Sequence, residues 1–305
     1  MAPDIRTLCV MIGAVALGAC GARSSLLDVD TWLEDRRREE ESLAGAGDPL
    51  PLDPAHDEAC GKGLHGPLMV TIPVPGKGSF CIDSTETTIR QYRAFLQAEF
   101  PFSNQPSYCA WNQSYDSWHP EYGGAGRHPP APDDYPTNSL DWCDAYSYCA
   151  WAGKRLCGKI GGGHLVNENP DSLIELHPLD GEWTYACSAG GTRTYPYGNV
   201  YDPTACVNQG YEGDPNFNKY TDIPRPIHEA KKCVGGFPGL YDMGGNATEW
   251  VDESDKVTGK SDFVVSFGGY WASDAMEARC VVRLPGTRDV AYGATGIRCC
   301  KDGPS

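Results

Sequence analysis

The chain has no Cys-x-x-Cys pair and no His-Glu-x-x-His segment, and its seven histidines stand apart, at 56, 65, 119, 128, 164, 177 and 228. Those gaps exclude zinc-ribbon, thioredoxin-like and zincin chemistry, which need ligands or thiols at fixed short spacings. Gly259-Lys260-Ser261 lacks the earlier glycine of a phosphate-binding loop, and no Gly-x-Ser-x-Gly occurs. Positive charge is scarce: 25 Lys and Arg stand against 41 Asp and Glu, a net charge of -16. An acidic surface of that size excludes nucleic acid as a partner, because phosphate binding needs clustered cations. The apolar stretch Leu8–Leu17 is too short to span a bilayer as a mature helix, and no other membrane-spanning candidate follows.

Cysteine is abundant instead. Fourteen are scattered through the chain without metal spacing, which points to disulfides and an oxidising compartment. Leu8–Leu17 fits the apolar part of an export signal, and Leu17-Gly18-Ala19-Cys20 fits a bacterial lipoprotein site with lipid on Cys20. An ordinary cleaved signal with a chance cysteine is the plainer alternative. The expected division is a signal over 1–19, an acidic, Pro/Gly-rich tether over 20–58 and a globular domain over 59–305. Lipidation at Cys20 leaves twelve mature cysteines, enough for six bridges. The chain is then expected in a bacterial cell envelope, as an outer-membrane lipoprotein facing the periplasm or the exterior. A Cys20→Ala chain should become soluble or stay unprocessed. Unchanged membrane association of that variant would contradict the lipid anchor.

Local pattern supplies the elements. Trp32–Glu41 reads as a short charged helix on the tether. Met69–Val74 and Ser79–Asp83 read as two strands joined by a Gly-Pro turn. Thr88-Ile89-Arg90-Gln91 fits a capping box, and Ile89, Tyr92, Phe95 and Leu96 follow at helical spacing, so a helix is predicted over 88–98. A second helix is predicted from Asp141 to Ala152, with Trp142, Ala145, Cys149 and Ala152 on one face and Gly153 ending it. Residues 101–136 read as a long loop region. High Gly and Pro, 36 and 24, suit a loop-rich domain.

Several segments resemble one family when taken in order. Ile82-Asp83-Ser84-Thr85-Glu86-Thr87-Thr88 with Tyr92 and Phe95 comes first. Leu140–Ala145, Tyr148–Leu156, Glu182–Cys187 and Tyr197-Gly198-Asn199 follow. Phe237–Trp250, Gly268-Gly269-Tyr270-Trp271 and Gly296-Ile297-Arg298-Cys299 close the set. Together these resemble the formylglycine-generating (sulfatase-modifying factor) family over nearly all of 67–302. The resemblance implies a single irregular α+β domain with little regular secondary structure, related to the C-type lectin fold and stapled by disulfides. It implies the bridges Cys149–Cys299 and Cys187–Cys280. Cys60–Cys81 and Cys206–Cys233 are expected from proximity in the sequence, while the pairing of Cys109, Cys143, Cys157 and Cys300 stays open. It also implies a structural calcium site using the Asp242 and Glu249 side chains and the Gly245 and Ala247 carbonyls. Capping turns or pairing with arginine is the alternative role for the two acids. A second calcium site would use Asn208, with Asp214 or Asp222.

Catalytic members of that family oxidise a target cysteine, within a Cys-x-Pro-x-Arg sequence, using two active-site thiols and copper. Soft thiolates are what select Cu(I). Here the corresponding interval, Tyr270–Arg279, contains no cysteine. Ser273 and Ala278 fall at the two positions counted forward from Gly269. Ala275 falls at the second counted back from Cys280. No catalytic residue is therefore assigned and copper is not expected. The leading expectation is a lipid-anchored domain without oxidase activity that binds a peptide, glycan or protein, with Trp111, Trp118, Tyr122 and Trp271 available to line a groove. One rival is a formylglycine-generating or related copper or iron oxidase using displaced cysteines, Cys299-Cys300 or Cys143 and Cys157. The other is a structural envelope lipoprotein with no small ligand.

Overall fold

The structure is a computed structural model, and it describes residues 58–116, 132–170, 172–175, 179–211 and 224–304. Cys20, the charged segment Trp32–Glu41, Trp118, Tyr122, Asp214 and Asp222 lie outside the described residues.

Two antiparallel strands open the domain, β1 (Met69–Val74) and β2 (Gly78–Asp83). Val70, Ile72 and Val74 of β1 alternate inward, as a half-buried strand requires. Helix α1 (Ile89–Gln97) follows. Thr88 Oγ1 accepts from the Gln91 N–H, and the Gln91 side chain accepts from the Thr88 N–H. Such a reciprocal cap satisfies two otherwise orphaned donors and contributes about 1 kcal/mol. Helix α2 (Trp142–Trp151) starts the same way, with Asp141 and Asp144 exchanging side-chain caps. It ends at Ala152, followed by Gly153 at φ 75°, a left-handed conformation that glycine adopts without steric cost.

Helix α2 buries the expected face and more besides. It is buried nearly all round, with Cys143, Asp144, Ser147 and Tyr148 covered as fully as Trp142, Ala145 and Cys149. The reason is that a disulfide holds it on each side: Cys143 to Cys109 in the preceding loop, Cys149 to Cys299 near the C-terminus. Of this helix only Ala150 is left exposed, with Tyr146 and Trp151 half-buried.

After α2 come β3 (Arg155–Leu156), β4 (Leu165–Val166) and a short helix, α3 (Glu182–Cys187). Strands β5 (Thr248–Ser254), β6 (Phe263–Phe267), β7 (Leu284–Thr287), β8 (Thr295–Ile297) and β9 (Cys299–Asp302) complete the order. One sheet runs β1-β2-β9-β3, antiparallel throughout. In the other, β5 pairs antiparallel with β6, and β6 with β7. The opposite edge of β5 is shared: β8 runs parallel to its first half and β4 parallel to its last two residues.

The core lies on both faces of that second sheet. Val251, Val265 and Phe267 pack with β1, β2 and α3. Their neighbours Trp250 and Val264 turn the other way and pack with α1 and α2. Period-two alternation with apolar residues in both directions is what a fully enclosed strand pair demands. Six disulfides staple the described residues: Cys60–Cys81, Cys109–Cys143, Cys149–Cys299, Cys157–Cys300, Cys187–Cys280 and Cys206–Cys233. Among the described residues no helix is long and apolar enough to cross a membrane.

Candidate functional site

The interval Tyr270–Arg279 leaves β6 through Gly268 and Gly269, both at positive φ. A Cβ on Gly269 would stand 3.0 Å from the Ser273 Cβ and Oγ, so the turn closes tightly on itself. Ser273 is fully buried and its hydroxyl is spent locally. Its Oγ accepts from the Tyr270 N–H at 2.9 Å, and its carbonyl accepts from the Gln209 N–H at 3.0 Å. Asp274 Oδ1 then accepts from the Met276 and Glu277 N–H groups. Tyr195 Oη donates to the Ala275 carbonyl at 2.9 Å, and Ala278 is buried. Beyond it, Cys280 is bonded to Cys187. The loop is therefore ordered by hydroxyl, carboxylate and phenol contacts, and it offers no thiol. All twelve cysteines of the described residues are in disulfides, including Cys143, Cys157, Cys299 and Cys300. The displaced-cysteine rival thus finds no free thiol among them.

Behind the loop sits a buried charged cluster. Arg298 is wholly enclosed and makes four hydrogen bonds. Its Nε reaches Glu249 Oε1 and Oε2 at 3.0 and 2.8 Å, Nη1 donates to the Asp83 carbonyl, and Nη2 donates to the Tyr241 carbonyl. Trp183 Nε1 also donates to Glu249 Oε2. Glu249, one of the acids expected at the calcium site, is thus also an arginine partner. Asp242 sits at φ 58° and accepts from the His228 N–H. Gly245 has no steric substitute, since a Cβ there would lie 2.1 Å from the Val207 carbonyl. Glu86 joins the cluster, accepting from the Ala247 N–H and from Asn246 Nδ2.

The balance of charge in this cluster is uneven. Glu86, Asp242 and Glu249 are buried with one guanidinium. Burial pushes the Glu86 carboxyl well above the usual range, and the Asp242 and Glu249 charges add to the rise. Burial likewise raises Asp242, against the pull of the His228 N–H and Arg298. Burial works against the Arg298 charge, but Glu249, Glu86 and Asp242 together outweigh it and raise the guanidinium. Excess buried negative charge must be met by protons or by a cation. The donors are hard oxygens, the type calcium takes. Among the described residues no group of three or more His, Cys, Asp or Glu side chains is arranged to hold a metal ion, so a calcium shell would lean on carbonyls. Asn208 is buried beside this region. Its Oδ1 accepts from Tyr201 Oη, and its Nδ2 has no partner among the described residues.

Sequence reasoning quoted Glu86 and Arg298 inside the matching segments without placing them in a site. The signal was their residue type: charged positions amid segments otherwise buried. It also read His164 as isolated. The structure puts His164 Nδ1 2.8 Å from Asp252 Oδ1 and its Nε2 3.1 Å from Ser254 Oγ. This has the outline of a nucleophilic triad but not its chemistry. Ser254 is buried, donates its one hydrogen to the Lys256 carbonyl and also accepts from Arg288 Nη2. A nucleophile must be reachable and must give its proton to the histidine. Of the aromatics expected to line a groove, the two described ones pack on different clusters. Trp111 packs on the α1/α2 core, while Trp271 packs on the Cys206–Cys233 bridge.

Comparison with known proteins bears on the whole domain. The family model for the sulfatase-modifying factor enzyme 1-like domain matches residues 74–303. The formylglycine-generating enzyme of Bos taurus is 30% identical over 217 residues, covering 61% of this chain and 50% of that protein. The chain thus spans half the length of that relative. The inactive C-alpha-formylglycine-generating enzyme 2 of Bos taurus is 26% identical over 280 residues, covering 80% of this chain and 82% of that protein. The structure of PvdO from Pseudomonas aeruginosa is 19% identical with a TM-score of 0.46, covering 83% of this chain and 89% of that one. This chain belongs to the sulfatase-modifying factor family.

Proposed function

We propose that this chain is a binding module: a formylglycine-generating-enzyme fold that has kept its frame and lost its oxidase. One observation carries the reading. Residues 270–279 hold no cysteine, and Ser273, at the first thiol position, is buried with its oxygen committed to the turn. A hydroxyl is a hard, weakly acidic ligand and does not replace a thiolate on Cu(I). The similarity to an inactive relative over four fifths of both chains supports the same reading. Fold and pocket outlast chemistry, so the surface around the loop is free to serve a peptide, glycan or protein partner. The lipid anchor at Cys20 belongs to this proposal and would hold the module at a membrane surface. Supplying copper, oxygen and a Cys-x-Pro-x-Arg peptide tests the absence of oxidation directly.

Calcium is the cofactor proposed for this module, at the Asp242 and Glu249 side chains and the carbonyls of Gly245 and Ala247. The uneven charge of the Glu86, Asp242 and Glu249 cluster supports it. A ligand at about 100 times its dissociation constant adds roughly 2.7 kcal/mol to stability. A chelator should therefore lower the melting temperature of the wild type and leave Asp242→Ala unaffected. Identical melting of the wild type with calcium and with chelator would remove calcium from the account.

A further inference from the structure

Away from the Arg298 cluster, one titratable side chain sits where its neighbours fix the direction of each hydrogen. His164 ends the Gly161-Gly162-Gly163 turn and leads into β4, which pairs with the end of β5. Its ring spans two residues of β5: Nδ1 lies 2.8 Å from Asp252 Oδ1, and Nε2 lies 3.1 Å from Ser254 Oγ. The His164 and Asp252 side chains are each about a quarter exposed, so protons reach them from solvent. Ser254 is buried. Its hydroxyl oxygen has two further neighbours, the Lys256 carbonyl at 2.5 Å and Arg288 Nη2 at 3.3 Å.

Hydrogen counting leaves two arrangements. A guanidinium only donates, so Ser254 Oγ accepts from Arg288 and keeps one hydrogen to give. The Asp252 carboxylate only accepts, so His164 Nδ1 carries a hydrogen in both. With His164 protonated, Nε2–H donates to Ser254 Oγ, and Ser254 donates to the Lys256 carbonyl. Each of these hydrogens then has an acceptor. With His164 neutral, Nε2 presents a lone pair to the hydroxyl oxygen. The hydroxyl must turn its hydrogen to Nε2, and the Lys256 carbonyl keeps only Arg288 Nη2, at 3.1 Å. Lys256 lies in the turn over 255–262 that joins β5 to β6, where Lys256, Val257, Thr258, Lys260 and Ser261 stand exposed. The far end of that turn is held separately, by Asp262 accepting from the Thr258 and Gly259 N–H groups. Cations near the ring have partners of their own, Arg288 in Asp262 at 3.4 Å and Lys256 in Asp255 at 3.3 Å. Glu253, the residue of β5 between Asp252 and Ser254, pairs instead with Arg283. Tyr108 and Tyr146 also face the Asp252 charge. Asp252 is thus the counter-ion left for a protonated His164.

We infer that His164 is a proton-operated latch on the β5–β6 turn. Protonated, it sends the Ser254 hydroxyl to the Lys256 carbonyl and tightens the turn. Neutral, it draws the hydroxyl away and loosens it. Ser254 stays buried in both states, so the switch gives it no nucleophilic role. This inference goes beyond the binding-module reading and stands without it. The test is NMR of the protein between about pH 5 and 8, where a histidine changes charge. The ring nitrogen shifts of neutral His164 should show the Nδ1–H tautomer, against the Nε2–H form that free histidine favours. Exchange protection of the Thr258 and Gly259 amides should fall roughly fivefold as the ring loses its proton, the weight of one hydrogen bond. Ser254→Ala, which removes the hydroxyl, should make that protection independent of the His164 proton. His164→Asn should do the same by fixing a neutral side chain. A neutral His164 in the Nε2–H form overturns the inference. So does wild-type protection that stays constant through the His164 titration, or a Ser254→Ala protein that keeps the full pH dependence. Should either variant fail to fold, the tautomer and the exchange of the wild type decide the matter alone.

Discussion

Arg298→Ala is expected to cost about 3–5 kcal/mol, because it removes one partner of a buried ion pair and leaves the other charged and enclosed. The loss is larger than a single contact implies. Arg298 joins Glu249 of β5 to the Asp83 carbonyl at the end of β2 and to the Tyr241 carbonyl, so one side chain ties the two sheets together. Its removal also strips Glu86 and Asp242 of the one guanidinium in their cluster. Glu249→Ala should be costly for the mirror reason. The double variant Arg298→Met/Glu249→Leu should recover part of the loss, since replacing both ions with apolar groups removes the desolvation penalty along with the attraction. Chemical denaturation under non-reducing conditions measures all three. A cost below about 1 kcal/mol for Arg298→Ala, the level of an exposed pair, would contradict the buried network.

The paired bridges at the C-terminus should behave as partial substitutes for each other. Cys149–Cys299 and Cys157–Cys300 close chains of 150 and 143 residues, and they are anchored on adjacent cysteines. While one stands, opening the other frees a loop of only about nine residues. In the chain-entropy treatment that costs about 2.5 kcal/mol. Opening both frees a far longer loop, bounded next by Cys187–Cys280, and should cost on the order of 6–7 kcal/mol. The Cys→Ala pairs should therefore be strongly non-additive, with the double removal exceeding the sum. Denaturation of the two single-bridge variants and the double-bridge variant tests this, and simple additivity would contradict it.

What the sequence made legible was local. The cap at Thr88 is written within four residues and is present as read, and the second helix starts beside Asp141 as expected. Strands β1 and β2 announce themselves by alternation and by the Gly-containing turn between them. The family emerged from the order of segments, none of which would suffice alone. The illegible part is long-range. Arg298 and Asp83 are 215 residues apart, and Glu86 meets Ala247 across 161. No periodicity connects such positions. Helix α3 escaped because it is short and begins at Gly181 without a side-chain cap. The two-residue strand β4 escaped because its pairing with β5 spans nearly ninety residues of chain. Helix α2 was placed correctly, but the burial around Cys143 and Ser147 was not read, because the Cys109 loop tied to Cys143 lies 34 residues away in sequence.

The central claim is that loop 270–279 carries no redox chemistry. Mass spectrometry of a Cys-x-Pro-x-Arg peptide, incubated with the wild-type protein, copper and oxygen, addresses it directly. The account predicts that the cysteine is recovered unchanged, with no aldehyde product, because no thiolate pair is available to hold Cu(I) beside it. Copper-dependent appearance of the aldehyde, lost when the protein is omitted, would contradict the account.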